Sequence, residues 1–123
     1  MSESPDTAWL LEKGMAALEG KWKPKILAVL AANGTVRYGE LRTALGNVSD
    51  AVLSSTLRDL CGDGMVKRVQ YATMPPRVEY SLTKKGIDSI EILRAVIRWA
   101  NSYEWDQEAP EKHLEACDFH SPV

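Results

Sequence analysis

The feature that most constrains the fold is a change of hydrophobic period in the second half of the chain. Apolar residues recur at helical spacing as far as about Asp63. From Met65 to Leu82 apolar and polar residues tend to alternate instead, and Pro75-Pro76 divides this stretch into two strands. A long helical pattern resumes after Thr83. This order predicts a mainly helical domain with a small β-hairpin before its last helix.

Turn and cap residues divide the first half into four helices. Gly20 ends the first helix, Asn33-Gly34 the second and Gly46-Asn47 the third, while Ser49 has the side chain of an N-cap. The predicted helices are about 7–19, 22–33, 38–45, 49–63 and 83–103, and the extended segments are 36–38, 65–72 and 77–82. On the fourth helix the pattern predicts a buried face formed by Val52, Leu53, Thr56, Leu57 and Leu60.

Composition limits the class of protein. A chain of 123 residues, 45% hydrophobic and 26% charged, suits one globular domain. Its apolar runs are too short to cross a membrane, and the polar, acidic residues 1–7 do not resemble a signal peptide. Two widely separated cysteines do not form a disulfide framework. We therefore expect a reduced, cytoplasmic protein without a membrane partner.

The charge is unevenly distributed along the chain. The net charge is only −2, but residues 20–86 contain eleven basic and five acidic residues and carry +6, whereas the flanks carry −8. A basic centre between acidic ends is typical of a surface that binds a polyanion. Clustering of solvated surface charge would give the same pattern.

The order of elements points to DNA as the polyanion. Two helices joined by the short turn Gly46-Asn47-Val48 and followed by a hairpin describe a winged helix-turn-helix. In such a domain the second helix of the pair, about 49–63, enters the major groove. The hairpin, about 66–82, is the wing and reaches the neighbouring phosphates or the minor groove.

Candidate DNA contacts follow from this arrangement. Serine hydroxyls on the outward side of the fourth helix can bond to bases or phosphates, and Arg58 can pair with phosphate or guanine. We expect Asp50 to support the helix N-terminus electrostatically. Basic side chains supply phosphate contacts, with Arg77 the strongest wing candidate. The full predicted set is Lys21, Lys23, Lys25, Arg37, Ser49, Ser54, Ser55, Arg58, Lys67, Arg68 and Arg77.

Several segments resemble the HxlR-type regulators, a winged-helix family similar in outline to the MarR regulators. The matching segments are Gly20-Lys21-Trp22, Tyr38-Gly39-Glu40-Leu41, residues 53–60, Asp63-Gly64-Met65-Val66, Pro75-Pro76-Arg77-Val78-Glu79-Tyr80 and Leu82-Thr83-Lys84-Lys85-Gly86. The resemblance implies a homodimer that binds a palindromic operator, with the first and last helices at the interface. The expected interface residues are Trp9, Leu10, Met15, Leu93, Val96, Ile97, Trp99 and Ala100.

The resemblance covers roughly residues 7–100, and the sequence departs from the family pattern in two places. Residues 1–103 correspond to the winged-helix domain with its dimerisation helices, and residues 104–123 form an acidic tail. Many members carry a cysteine just before the first helix, but Trp9 stands at that position, which argues against thiol sensing there. The fourth helix carries Ala51, Ser55 and Thr56 where relatives often have basic or amide side chains, so an operator sequence does not transfer from them.

Other functions find less support. The sequence has no Gly-rich phosphate loop and no paired carboxylates in an apolar setting, so we expect neither an enzyme nor a cofactor. His113, Cys117 and His120 have metal-ligand side chains but an incomplete pattern, and no metal is predicted. Cys61 is expected to be a core residue.

Two binding alternatives remain open. A winged helix used for protein contacts would have an apolar outward face on its fourth helix. A small-molecule effector would find an aromatic cluster at the dimer helices, formed by Trp9, Trp22, Trp99, Tyr103 and Trp105.

Overall fold

The computed structural model describes residues 6–106. Within that range the chain forms five helices and three strands in the order α1 (Asp6–Leu18), α2 (Lys23–Asn33), β1 (Val36–Arg37), α3 (Tyr38–Leu45), α4 (Asp50–Gly62), β2 (Val66–Tyr71), β3 (Arg77–Leu82) and α5 (Lys84–Asn101). Most of the predicted boundaries agree with this order to within two residues. The winged helix-turn-helix prediction is confirmed.

The sheet has one strand more than the sequence indicates. β2 and β3 form the predicted antiparallel hairpin, with Val66 opposite Leu82 and Tyr71 opposite Arg77. The extended segment before α3 joins them, because Val36 pairs with Tyr80 and gives the strand order β1-β3-β2. β1 has only two residues, so its sequence pattern is too short to predict the strand with which it pairs. Its pairing fixes the start of α3 against the base of the wing.

The core lies between α2, the α3–α4 pair and the inner face of the sheet. Residues 26–30 of α2 are buried on every side, which is why this helix shows little amphipathic pattern. Leu41, Leu53 and Leu60 are fully buried against them, and Tyr80 covers the core from the sheet. At about 25 cal/mol per Å² of apolar surface removed from water, this cluster is the main source of stability in the chain.

The N-terminus of α5 is bound tightly to the junction of α4 and β2. Thr83 caps the helix by accepting a hydrogen bond from the Gly86 amide at 3.1 Å, and its hydroxyl donates to the Gly64 carbonyl at 2.6 Å. Lys85 Nζ donates to the Asp63 carbonyl at 2.6 Å. A Cβ on Gly86 would collide with the backbone carbonyl of Met65, so the contact requires glycine. The last helix is therefore attached directly to the base of the wing.

The structure corrects two burial predictions. Val52 was expected on the buried face of α4 but is 42% exposed, because the buried side is narrower and is formed by Leu53, Leu57 and Leu60. Leu93 was expected at the dimer interface but is only 7% exposed and packs in the core. The helix that carries Leu93 therefore has a core side and a separate outer side.

None of the described helices is both long and apolar enough to cross a membrane.

Candidate nucleic-acid interface

The turn between α3 and α4 positions α4, which is the helix predicted to enter the major groove and is called the recognition helix below. Gly46 has φ of +84°, a left-handed conformation that favours glycine, and its amide donates to the Arg42 carbonyl at 3.1 Å. Ser49 then caps α4 by accepting a hydrogen bond from the Val52 amide at 3.2 Å, as predicted from the sequence. Val48 is buried between the two helices. These contacts fix the angle at which α4 leaves the domain.

A polar network joins the first turn of α4 to α3. Arg42 Nε lies 2.8 Å from Asp50 Oδ1, and the Tyr38 hydroxyl donates to the same oxygen at 3.0 Å. The Tyr38 hydroxyl also lies 3.4 Å from Ser54 Oγ. The sequence suggested only a helix-end role for Asp50, but the structure shows that its carboxylate also bridges the two helices of the motif.

A groove of about 380 Å³ separates α4 from the sheet. It is lined by three of the predicted DNA contacts, Ser54, Arg58 and Arg68, and by Cys61, which was expected in the core. Arg68 is exposed on β2, and its Nη2 donates to Gln70 Oε1 at 3.3 Å. Burial raises the pKa of the Cys61 thiol above its ordinary value of 9.0, and the nearby Arg68 guanidinium offsets part of the rise. Cys61 thus lies half-buried at the core edge.

A second cleft, about 520 Å³, lies between the wing turn and the start of α3. Arg37 and Arg77 both line it. Arg77 is held in place, because its guanidinium stacks on the ring of Tyr71 at 4.3 Å and its Nε lies 3.1 Å from Glu79 Oε2. Its charge is therefore partly balanced within the wing, which the sequence did not reveal.

The three lysines at the start of α2 have contacts of their own. Lys23 Nζ donates to the Ala16 carbonyl at 3.0 Å and so closes the end of α1. Lys21 and Lys25 lie over the ring of Trp22, with Nζ at 5.0 and 4.9 Å from its centroid. Two of these lysines therefore surround an aromatic ring, and the third caps a helix.

The outer sides of α1 and α5 are apolar and uncovered. α1 has no buried residue, and Trp9, Leu10, Leu11 and Met15 are each more than half exposed. On α5 and just after it the same holds for Ile92, Trp99, Tyr103 and Trp105, and Val96 is 50% exposed. The Trp99 ring lies 6.4 Å from that of Tyr103 and 5.9 Å from that of Trp105. Trp22 was predicted to belong to this aromatic cluster, but it packs against the core.

Sequence reasoning missed three residues near the proposed contacts. Tyr38 and Arg42 contact Asp50 across the turn. Arg42 precedes Asp50 by eight positions, and this spacing alone does not predict an ion pair. Met74 is 94% exposed at the wing turn. The sequence indicated its position between the two strands but not its exposure. His113 and Cys117 lie outside the described residues, as does His120, and no cluster of three metal-ligand side chains occurs in residues 6–106.

The fold and this surface define the class of protein. A capped recognition helix next to a two-stranded wing, with arginines lining both clefts beside it, is the architecture of a winged helix-turn-helix DNA-binding regulator.

Comparison with known proteins identifies the family. The model of the HxlR-like helix-turn-helix family matches residues 17–108, and the chain belongs to this family. The uncharacterized HTH-type transcriptional regulator YvaP of Bacillus subtilis is 40% identical over 94 residues, which cover 76% of this chain and 84% of that protein.

Solved structures agree with this assignment. A transcriptional regulator of the MarR family from Enterococcus faecalis V583 superimposes with a TM-score of 0.71 at 34% identity, covering 83% of this chain and 90% of that one. The redox regulator HypR in its oxidized form gives a TM-score of 0.67 at 34% identity, covering 77% and 97%. The chain is thus a transcriptional regulator with a helix-turn-helix DNA-binding fold.

Proposed function

We propose that the protein is a homodimeric, sequence-specific DNA-binding regulator that acts on a palindromic operator in the cytoplasm and catalyses no reaction. The observation that carries the proposal is the outward face of α4, where the small side chains of Ala51 and Ser55 are exposed beside the arginine-lined groove. A side chain as short as alanine or serine lets the helix approach base edges closely.

Phosphate contacts are assigned to the arginines around α4. Arg58 and Arg68 line one side of the recognition helix, and Arg37 and Arg77 line the cleft at the wing turn. Each can bind a phosphate through guanidinium N–H groups that its internal contacts leave available. Lys67 on the exposed side of β2 and the lysines of α2 would extend the contact along the backbone.

Dimerisation is supported by the uncovered apolar side of α1 and α5. Exposed apolar residues of this kind mark an interaction site, and a second copy of the same chain would cover them with matching chemistry. We assign Trp9, Leu10, Met15, Val96 and Trp99 to the interface. Ile97 and Ala100 are half-buried beside them. Two copies would present their recognition helices to successive turns of the major groove.

Two alternatives are less well supported. A winged helix that binds protein would have an apolar face on α4, but the exposed apolar residues of α4 are limited to Ala51 and Val52 within the described chain. An effector pocket was expected among five aromatic residues, of which four are exposed. Trp22 packs against the core, which favours packing between copies for the others.

The proposal is tested by binding to DNA from the region upstream of its own gene, measured at several salt concentrations. Arg68→Ala should reduce the slope of log K against log salt by roughly one, because one phosphate contact is lost. Lys84→Ala is the matched control, since Lys84 Nζ pairs with Asp88 on α5 at 3.0 Å. Equal binding to upstream and scrambled DNA would contradict the proposal.

A further inference from the structure

The Asp50 carboxylate puts a negative charge at the end of α4 that is proposed to face the DNA. Asp50 is the first residue of α4, and N-terminal residues of a recognition helix are the ones that contact base edges. Its side chain remains 70% exposed although Arg42 and Tyr38 both contact Oδ1. Neither of these contacts uses the other carboxylate oxygen, Oδ2.

The contacts in this network determine whether the Tyr38 and Ser54 hydroxyl groups act as donors or as acceptors. A carboxylate only accepts, so the single hydroxyl proton of Tyr38 goes to Asp50. In the 3.4 Å contact between Tyr38 and Ser54 the serine hydroxyl must then be the donor. While this contact is made, Ser54 offers another partner only its acceptor lone pairs. Tyr38 thus sets the hydrogen-bonding character of a serine on the recognition helix.

Asp50 and Ser54 are four residues apart and so lie one above the other on the same side of α4. Together they present acceptors along the first two turns. Phosphate oxygens, guanine O6 and N7, and thymine O4 are also acceptors, so they cannot hydrogen-bond to the Asp50 and Ser54 acceptors. The major-groove donors are the exocyclic amino groups of cytosine N4 and adenine N6.

We infer that the first turns of α4 bind an exocyclic amino group in the major groove, with Asp50 and Ser54 as acceptors and Tyr38 as a positioning residue. The inference rests on the proposed DNA-binding function and adds a class of base to it. Arg42 balances the Asp50 charge and so reduces repulsion from nearby phosphates.

The first experiment selects bound sequences from a randomised DNA library with the full-length protein. The wild type should enrich cytosine or adenine at a fixed position in each half-site. Asp50→Asn should replace a cytosine preference by adenine, because an amide both donates and accepts. Asp50→Ala, which has no side-chain acceptor, should lose a preference for either base. Asp59→Asn removes the same charge from an exposed site on the same helix and should leave the preference unchanged.

A second experiment does not depend on any protein variant. In the selected site, each preferred cytosine is replaced by 2-pyrimidinone and each preferred adenine by purine, which lack the amino group. One replacement should weaken wild-type binding roughly 5- to 100-fold, the usual cost of a lost specific base contact. The replacement that weakens binding identifies whether cytosine or adenine supplies the amino group.

A third variant tests the positioning role of Tyr38. Tyr38→Phe removes the hydroxyl that accepts from Ser54, so Ser54 could then donate as well as accept. The base preference next to the Asp50 position should broaden to include guanine or thymine. A change in overall affinity with an unaltered preference would assign Tyr38 a merely structural role and remove it from the inference.

Other outcomes separate this inference from the proposed function. If wild type enriches a sequence but Asp50→Ala enriches the same one, or the analogues bind equally well, the inference is overturned and DNA binding stands. If wild type enriches no sequence, the proposed function fails and the inference fails with it.

Discussion

Two regions of the molecule treat their apolar residues in opposite ways. Around α2, α4 and the sheet, leucines such as Leu27 and Leu53 are fully buried within a single chain. Along the outer sides of α1 and α5, larger residues such as Trp9 and Trp99 remain more than half exposed. The first region buries its apolar side chains within one chain, whereas the apolar side chains of the second region would be buried only against another surface. The comparison separates residues that form the domain from those proposed to assemble it.

The largest expected effect tests the buried region. Leu53→Ala should lower the free energy of unfolding by about 2–5 kcal/mol, the usual cost of removing a leucine from a packed core. The neighbouring Val52→Ala, at a position 42% exposed, should change it by less than about 1 kcal/mol. Urea denaturation followed by circular dichroism measures both. Similar losses for the two variants would contradict the assignment of the core.

The second effect tests the exposed region. Trp99→Ala should weaken self-association by about 2 kcal/mol or more, because a large aromatic residue at the centre of an interface contributes most to binding. Sedimentation at a series of concentrations should show the variant shifting towards monomer while its far-ultraviolet spectrum stays that of a folded chain. A variant that stays dimeric would place the interface elsewhere.

The third effect concerns the connection between the two regions. Gly86→Ala should destabilise the protein by about 1–3 kcal/mol, because its Cβ meets the Met65 backbone and the structure must shift. Gly39→Ala is the matched control, since a Cβ there has open space within its helix. It should be neutral or stabilise by less than about 1 kcal/mol. Thermal unfolding of the two variants measures the difference, and equal midpoints would show that the α5 attachment tolerates a side chain.

The smallest effect is a pH dependence at the edge of the core. Burial raises the pKa of the Cys61 thiol, so the folded protein holds this proton more tightly than the unfolded chain does. The contribution of the thiol is fully present below the unfolded pKa of 9.0 and is lost as pH rises through the folded pKa. Cys61→Ala should therefore flatten the fall in unfolding free energy as the pH rises above about 8. An identical fall in both proteins would assign it to other groups.

Much of the fold was accessible from the sequence because its signals are local. The Ser49 and Thr83 caps, the glycine turns and the alternating residues of β3 each depend on neighbours within a few positions. The site was predicted less well. Arg77 was identified from its place beside two prolines, but its contacts with Tyr71 and Glu79 arise from strand register. Asp50 looked like a helix-end charge because its partners lie on another helix.

The sequence by itself therefore determined the number and order of the helices, the position of the wing and the family. Those properties follow from periodicity, caps and turns, which act over one or two turns of chain. Only the tertiary structure decided that Val36 extends the sheet, that Leu93 belongs to the core and that Tyr38, Arg42, Asp50 and Ser54 form one network. These contacts depend on which surfaces meet when segments distant in the chain pack together. The spacing of residues along the sequence does not contain this information.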